Sequence, residues 1–69
     1  MTPTEALALL DLPESERKVE YRPAHDSYHG CEQGLLTGAG DRFGFVRYWR
    51  HGILQQTAAA TRLTDLHLV

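Results

Sequence analysis

The sequence predicts a small, mainly β domain, in which about five antiparallel strands coil into a barrel behind a short N-terminal helix. The chain has only 69 residues, so we expect one domain near the lower size limit for folding on a hydrophobic core alone. Short stretches of alternating apolar and polar residues recur along it, separated by clusters of Gly, Pro, Asp and Ser. A flat sheet of this size would expose two edges, which closure into a barrel removes.

The beginning of the chain predicts a short helix over residues 3–12. Thr2 is suited to the N-cap position, Pro3 to the first helical position, and Glu5 to the reciprocal hydrogen bond of a capping box. Pro13 is expected to end the helix, because the residue before a proline avoids helical backbone angles.

A helix of about nine residues does not hold in water unaided, so this one must dock on other structure. Leu7 and Leu10 share one face of it, and Ala6 with Leu9 widens that face. We expect the face to cover the domain's own sheet. The alternative is an arm that binds a partner or a second copy of the chain.

Five strands are predicted after the helix, separated by turn-forming residues. They cover residues 19–22, 31–37, 42–50, 53–57 and 66–69, with a single helical turn within residues 58–65. Gly34 in the second strand indicates a bulge or a sharp bend, of the kind that coils a small sheet. His51 and Gly52 predict a tight hairpin connection, because glycine adopts positive φ without strain.

This order of elements is the pattern of an SH3-like barrel, with a long loop after the first strand, a tight central hairpin and a helical turn before the last strand. Residues 1–13 then form the N-terminal helix and residues 14–69 the barrel, as one folding unit. The competing arrangement is an open antiparallel sheet with the N-terminal helix packed on one face.

Length and composition favour a binding domain over an enzyme. A chain of 69 residues buries only about 60% of its unfolded surface, which leaves few residues to enclose an active site. We therefore expect no catalytic residue and no cofactor.

The single cysteine, Cys31, excludes an internal disulfide framework, and the lack of a basic and apolar leader predicts a cytoplasmic protein. The longest apolar run, residues 6–10, is too short to span a bilayer, so no membrane partner is expected.

The net charge of −2 conceals a polarised distribution. Seven acidic and three basic residues lie between Glu5 and Glu32, whereas four arginines and no acid lie between Arg42 and Leu63. The acidic half weighs against a generic nucleic-acid binder.

Four short motifs carry a family resemblance. They are Cys31-Glu32-x-Gly34, Phe45-Val46-Arg47-Tyr48, Gln55 or Gln56 with Thr57, and Asp65-Leu66. Together they resemble a group of small, mostly uncharacterised phage and prophage proteins with SH3-like barrels. The resemblance covers residues 19–69, omits the N-terminal helix, and departs from the family in a shorter loop before Cys31. It implies the fold and a phage-like setting, and it brings no activity with it.

Several residues of the kind that zinc accepts stand close together in the sequence. They are His25, His29 and Cys31, and His51 or Asp26 would supply a fourth ligand. Their spacing matches no paired ligand motif. We favour solvated histidines and a small buried cysteine, and no metal is predicted.

Aromatic and basic residues concentrate in residues 41–56, which hold four of the six Phe, Trp and Tyr side chains. Side chains alternate between the two faces of a strand. One face would carry Phe43, Phe45, Arg47 and Trp49, and the other Gly44, Val46, Tyr48 and Arg50. We expect Val46 and Tyr48 to point inward. The outer row is then expected to lie under the face of Leu7 and Leu10, or in part to bind a ligand.

A mixture of aromatic and arginine side chains suits a protein partner, since these residue types dominate binding hot spots. We therefore predict a non-enzymatic protein-interaction module, and the phage-like setting implies a host protein that it binds and modulates. The alternative is an SH3-like barrel of the KOW type that binds RNA or DNA, with bases stacked on aromatic rings and arginines on phosphates. Self-association is compatible with the first hypothesis. The predicted contact residues are Arg42, Arg47, Tyr48, Trp49, Arg50 and His51, with most weight on residues 47–51 at the hairpin.

Overall fold

The computed structural model describes residues 1–23 and 31–69. It contains one helix, α1 (Pro3–Leu10), and six strands: β1 (Lys18–Tyr21), β2 (Glu32–Ala39), β3 (Phe43–Arg50), β4 (Ile53–Leu54), β5 (Ala59–Arg62) and β6 (Leu66–Leu68). Two short 3₁₀ turns, Glu14–Glu16 and Leu63–Asp65, precede β1 and β6. The prediction of a mainly β chain with a short N-terminal helix is confirmed. In these ranges no helix has the length and apolar character that crossing a bilayer requires.

All the strands pair antiparallel in one sheet of order β4-β3-β2-β1-β6. β5 pairs with residues 43–46 of β3, beside the shorter contact that β4 makes with Trp49 and Arg50. Within the described ranges no ladder joins β6 to β4 or β5, so the sheet is not closed. The expected barrel closure is therefore not confirmed, and the structure lies closer to the competing open sheet with a helix on one face.

Residues 58–65 differ from the prediction of a single helical turn. Only Leu63–Asp65 forms a turn, and Ala59–Arg62 forms β5 instead. A run of alanines carries no apolar and polar alternation, so local sequence does not mark it as a strand. It becomes one because β3 extends past β4 and offers the edge of residues 43–46 for pairing.

The beginning of α1 forms as predicted. The Thr2 N–H donates to Glu5 Oε1 at 2.8 Å, and the Glu5 N–H donates to Thr2 Oγ1 at 3.1 Å, which completes the capping box. The hydrogen bond from the Thr2 backbone lowers the pKa of Glu5 below its ordinary value. The helix ends at Leu10, two residues before the predicted end.

The face of α1 that packs on the sheet differs from the one predicted. Ala6 and Leu9 are buried, Leu10 is partly buried, and Leu7 is 60% exposed. The buried pair belongs to one hydrophobic core cluster, whose members are Ala6, Leu9, Val19, Leu36, Val46, Tyr48, Leu63 and Leu66. The small side chain of Ala6 lets the helix backbone lie close to β2, which a leucine at the centre of the contact would prevent. The helix therefore covers the sheet face that carries Val46, which we call the inner face.

The prediction of a bulge or bend at Gly34 is wrong in its position. The register between β2 and β3 shifts between Leu36 and Gly38, so the bulge lies there. Gly34 pairs with Tyr48 in the regular part of the ladder, and its structural role is a different one. A Cβ added to it would lie 2.6 Å from the carbonyl oxygen of Arg47 and would also overlap the Val46 side chain. Glycine is required because β2 and β3 approach each other closely at this point.

Substitution Gly34→Ala is expected to destabilise the domain by about 3 kcal/mol, since the backbone of β3 must shift to admit the methyl group. Gly40→Ala is the matched control, because a Cβ at Gly40 meets no atom within 4 Å. Urea unfolding of both variants measures the difference. Equal midpoints for the two variants would contradict the close approach of the strands.

Candidate interaction surface

The side chains of β3 alternate between the two faces of the sheet, as predicted. Gly44, Val46 and Tyr48 lie on the inner face and are buried. The opposite face, called the outer face here, carries Phe43, Phe45, Arg47 and Trp49. The four outer residues do not share one environment, and they divide into a near half and a far half.

The near half consists of Phe43 and Phe45, which are 46% and 44% exposed. The expectation that Leu7 and Leu10 would cover this row is wrong, because α1 packs on the inner face through Ala6 and Leu9. Two aromatic rings therefore stand next to each other, almost half exposed, on the side of the sheet opposite α1.

The strands beside β3 supply the neighbours of these rings. In β5, Arg62 lies opposite Phe43 and Ala60 lies opposite Phe45, and both β5 residues are exposed. On the β2 side, a Cβ at Gly38 would lie 3.6 Å from the Phe45 ring, which is ordinary van der Waals contact, so the glycine leaves that side of the ring without a side chain against it. We call Phe43, Phe45, Ala60 and Arg62 the outer patch.

Arg42 lies at the rim of the outer patch and is exposed. Its carbonyl oxygen accepts a hydrogen bond of 2.9 Å from the Leu63 N–H. Arg42, Arg62 and Phe43 line a groove of about 460 Å³ whose other wall includes Met1 and Leu63. Two arginines and Asp41 thus flank a largely apolar depression that opens beside the patch.

The far half of the outer row consists of Arg47 and Trp49, and contacts within the chain engage both side chains. The Arg47 guanidinium donates through Nη1 to Glu14 Oε1 and through Nε to the Gln55 carbonyl oxygen, each at 2.8 Å. Arg47 thereby ties the 3₁₀ turn before β1 to the chain after β4, and Leu35 opposite it is buried. The Lys18 Nζ lies 5.8 Å from the centroid of the half-buried Trp49 ring, in a cation–π contact.

Tyr48 lies in the core and is only 5% exposed. Its hydroxyl hydrogen-bonds the Thr61 Oγ1 at 2.7 Å, and its ring meets Tyr21 edge to face at 6.2 Å between centroids. Burial raises the pKa of Tyr48 above its ordinary value. These contacts give Tyr48 a structural role, in which it joins β3 to β5.

The hairpin between β3 and β4 turns as predicted. His51 and Gly52 both adopt positive φ, of 54° and 76°, which suits a two-residue turn of the primed type. Arg50 and His51 are exposed, and Ile53 beyond them is 67% exposed. Arg42 lies at the opposite end of β3, roughly 25 Å away for eight residues of strand.

The six predicted contact residues therefore do not come together as one surface. Arg42 lies at one end of β3, Arg50 and His51 lie at the other, and the three between them are engaged in contacts within the chain. Two residues of the outer patch, Ala60 and Arg62, were missing from the prediction. The acid-free segment between Arg42 and Leu63 contains both, and it was the one signal that pointed to them.

The zinc hypothesis rests mostly on residues that the structure does not describe, since His25, Asp26 and His29 lie between residues 23 and 31. Cys31 is exposed rather than buried, and its hydrogen bond with the Glu20 carboxylate raises the pKa of its thiol. Among the described residues no three His, Cys, Asp or Glu side chains form a group that could hold a metal ion.

Comparisons with protein-family models, with curated proteins and with solved structures find no match to this chain. The resemblance to phage and prophage proteins therefore stays a prediction.

Substitution Tyr48→Phe is expected to lower the free energy of unfolding by about 1 kcal/mol, because it leaves the buried Thr61 hydroxyl without its partner. The raised pKa favours the protonated phenol in the folded state, so the stability linked to Tyr48 falls as pH rises above about 10. The variant should lose this alkaline decrease.

Tyr21→Phe is the control for this prediction, since no described residue hydrogen-bonds the Tyr21 hydroxyl. Denaturant unfolding at pH 7 and above pH 10 checks both parts. Identical unfolding of Tyr48→Phe and Tyr21→Phe at every pH would contradict the assigned role of Tyr48.

Proposed function

We propose that this chain is a non-enzymatic protein-interaction module that binds a partner protein through the outer patch. The observation that carries the proposal is the exposure of Phe43 and Phe45 on the sheet face opposite the helix. Single exposed apolar side chains are common on protein surfaces. Adjacent aromatic rings with a charged rim are instead typical of interaction sites.

The charges around the patch indicate the chemistry of the partner. Arg62 lies beside Phe43, and Arg42 lies at the rim. In the described part of the chain no carboxylate forms a salt bridge with either arginine. A partner that presents apolar side chains together with acidic groups complements both the rings and the arginines. The phage-like setting implied by the resemblance makes a host protein of this kind the candidate, which the module would bind and modulate in the cytoplasm.

This proposal moves the binding surface away from the hairpin. Arg47 is held by Glu14 and Gln55, and Tyr48 is buried, so the far half of β3 has few groups free to meet a partner. The exposed residues at the hairpin tip, Arg50 and Ile53, serve as a comparison surface on the same strand pair.

Nucleic-acid binding is the competing hypothesis, and the exposed arginines Arg42 and Arg62 beside aromatic rings are its support. A net charge of −2 opposes it, because phosphate binding depends on an excess of positive charge. A gel shift with single-stranded RNA and duplex DNA at 50 mM salt distinguishes the two. We expect no shift, and a shift that weakens steeply with salt would favour the competing hypothesis.

The interaction hypothesis predicts that the outer patch controls capture of a partner. The full chain, immobilised, would be compared with the double variant Phe43→Ser, Phe45→Thr in a bacterial lysate, with bound proteins quantified by mass spectrometry. We expect proteins retained by the unchanged chain to be reduced at least about tenfold by the double variant, as for loss of a hot spot.

The matched control is the hairpin-tip variant Arg50→Ser, Ile53→Thr, which removes comparable exposed groups outside the patch and should retain the same proteins. Circular dichroism and urea unfolding confirm that both variants fold. A set of captured proteins that is the same for all three chains would contradict binding through the patch.

A further inference from the structure

The open edge of β5 presents backbone hydrogen-bonding groups next to the outer patch. The Leu63 N–H donates to the Arg42 carbonyl oxygen, which marks residues 42 and 63 as a hydrogen-bonded pair of the antiparallel ladder. Such pairs alternate with pairs that are not hydrogen-bonded. Thr61 therefore bonds to β3, whereas Ala60 and Arg62 direct both their N–H and C=O groups away from β3.

This outward edge is not occupied in the described part of the chain. No described strand pairs with it, and Ala60 and Arg62 are exposed. Proteins usually protect such edges with lysines, prolines, bulges or a covering segment. β5 has none of the first three, and its single charge is Arg62.

The side chains at this edge determine what could pair with it. Ala60 stands between the edge and the Phe45 ring, and its methyl group is too small to screen that ring. An apolar side chain on an added strand, placed opposite Ala60, would reach across it to Phe45. A residue opposite Arg62 would face a guanidinium and, beyond it, Phe43.

We infer that an extended segment of the partner protein adds to β5 as a further strand, with an acidic residue opposite Arg62 and an apolar residue two positions away opposite Ala60. This inference rests on the proposed function and states how the partner is recognised. Backbone hydrogen bonds from Ala60 and Arg62 would supply affinity, and the two side-chain positions would supply specificity.

A second copy of this chain fits the edge less well. Pairing β5 with another β5 would bring two copies of Arg62 to the edge, and residues 57–63 offer no acid to either of them. Like charges on paired strands are destabilising. Glu32 and Asp65 also line the depression beside Ala60 and Arg62, but in the described ranges neither forms a salt bridge with Arg62. An acidic segment from a different protein would supply the partner that the Arg62 guanidinium lacks there.

The test uses a synthetic peptide of nine residues. Its central residue is glutamate, one phenylalanine stands two positions before it and another two positions after it, and every other residue is threonine. This symmetric pattern places an apolar residue opposite Ala60 for either strand direction. Hydrogen exchange of the labelled full chain is followed by NMR. We expect the Ala60 and Arg62 amides to exchange at least about tenfold more slowly with the peptide bound.

Variants of the chain separate backbone pairing from other modes of binding. Ala60→Pro removes the outward N–H and leaves the ladder to β3 intact, so peptide affinity should fall about tenfold or more. Ala60→Ser keeps the N–H and should bind as the unchanged chain does. The variant Arg62→Glu should no longer bind the glutamate peptide and should instead bind a peptide with lysine in place of the central glutamate. This comparison does not depend on how the proline variant folds.

Three results would overturn strand addition: no binding of the glutamate peptide, equal binding of the glutamate and lysine peptides, or unchanged exchange of the Ala60 and Arg62 amides in the complex. The proposed function is judged separately. If Phe43→Ser, Phe45→Thr abolishes capture of a partner while Ala60→Pro does not, the interaction surface stands and the strand-addition mode is wrong.

Discussion

The packing of Ala6 and Leu9 onto the inner face of the sheet is the contact on which the rest of the molecule depends. A helix of eight residues has no stability of its own in water, so it forms only where burial compensates for its ordering. Complete burial of a leucine side chain stabilises a fold by about 1.5–3 kcal/mol. The inner face offers that burial beside Val46 and Leu36, and once the helix lies there, the aromatic rings of the other face have no cover from it.

The outer face is then divided by contacts that differ in kind. Its far half is closed by Arg47, which reaches both Glu14 and Gln55, and by Lys18 over Trp49. The Arg47 and Glu14 pair is partly exposed, so its free energy is small, at most about 1 kcal/mol. Its importance is geometric, since it holds the chain before β1 across the sheet. Within residues 1–23 and 31–69 no comparable contact reaches Phe43 and Phe45, and this difference is the reason that we propose a site at the near end of β3.

Local sequence signals predicted the elements whose causes are local. The capping box at Thr2 and Glu5, the hairpin turn at His51 and Gly52, and the alternation along β3 all follow from interactions between residues near each other in the chain. The structure of β5 and the buried face of α1 depend on distant partners. A run of alanines becomes a strand only because the edge of β3 is available to pair with it. Ala6 is buried and Leu7 is exposed, because the close approach of the helix backbone to the sheet favours the smaller side chain. The site that we propose differs from the one predicted from the sequence for the same reason, since it depends on which face the helix takes.

The central claim is that the helix covers the inner face and leaves the outer patch open, and nuclear Overhauser contacts in the full chain test it most directly. We expect contacts from the methyl groups of Ala6 and Leu9 to those of Leu36 and Val46. We expect no contact between the Leu7 methyl groups and the Phe45 ring protons. Strong contacts between Leu7 and the Phe45 ring, with none from Ala6 or Leu9 to the core, would contradict it and remove the surface on which the proposed function rests.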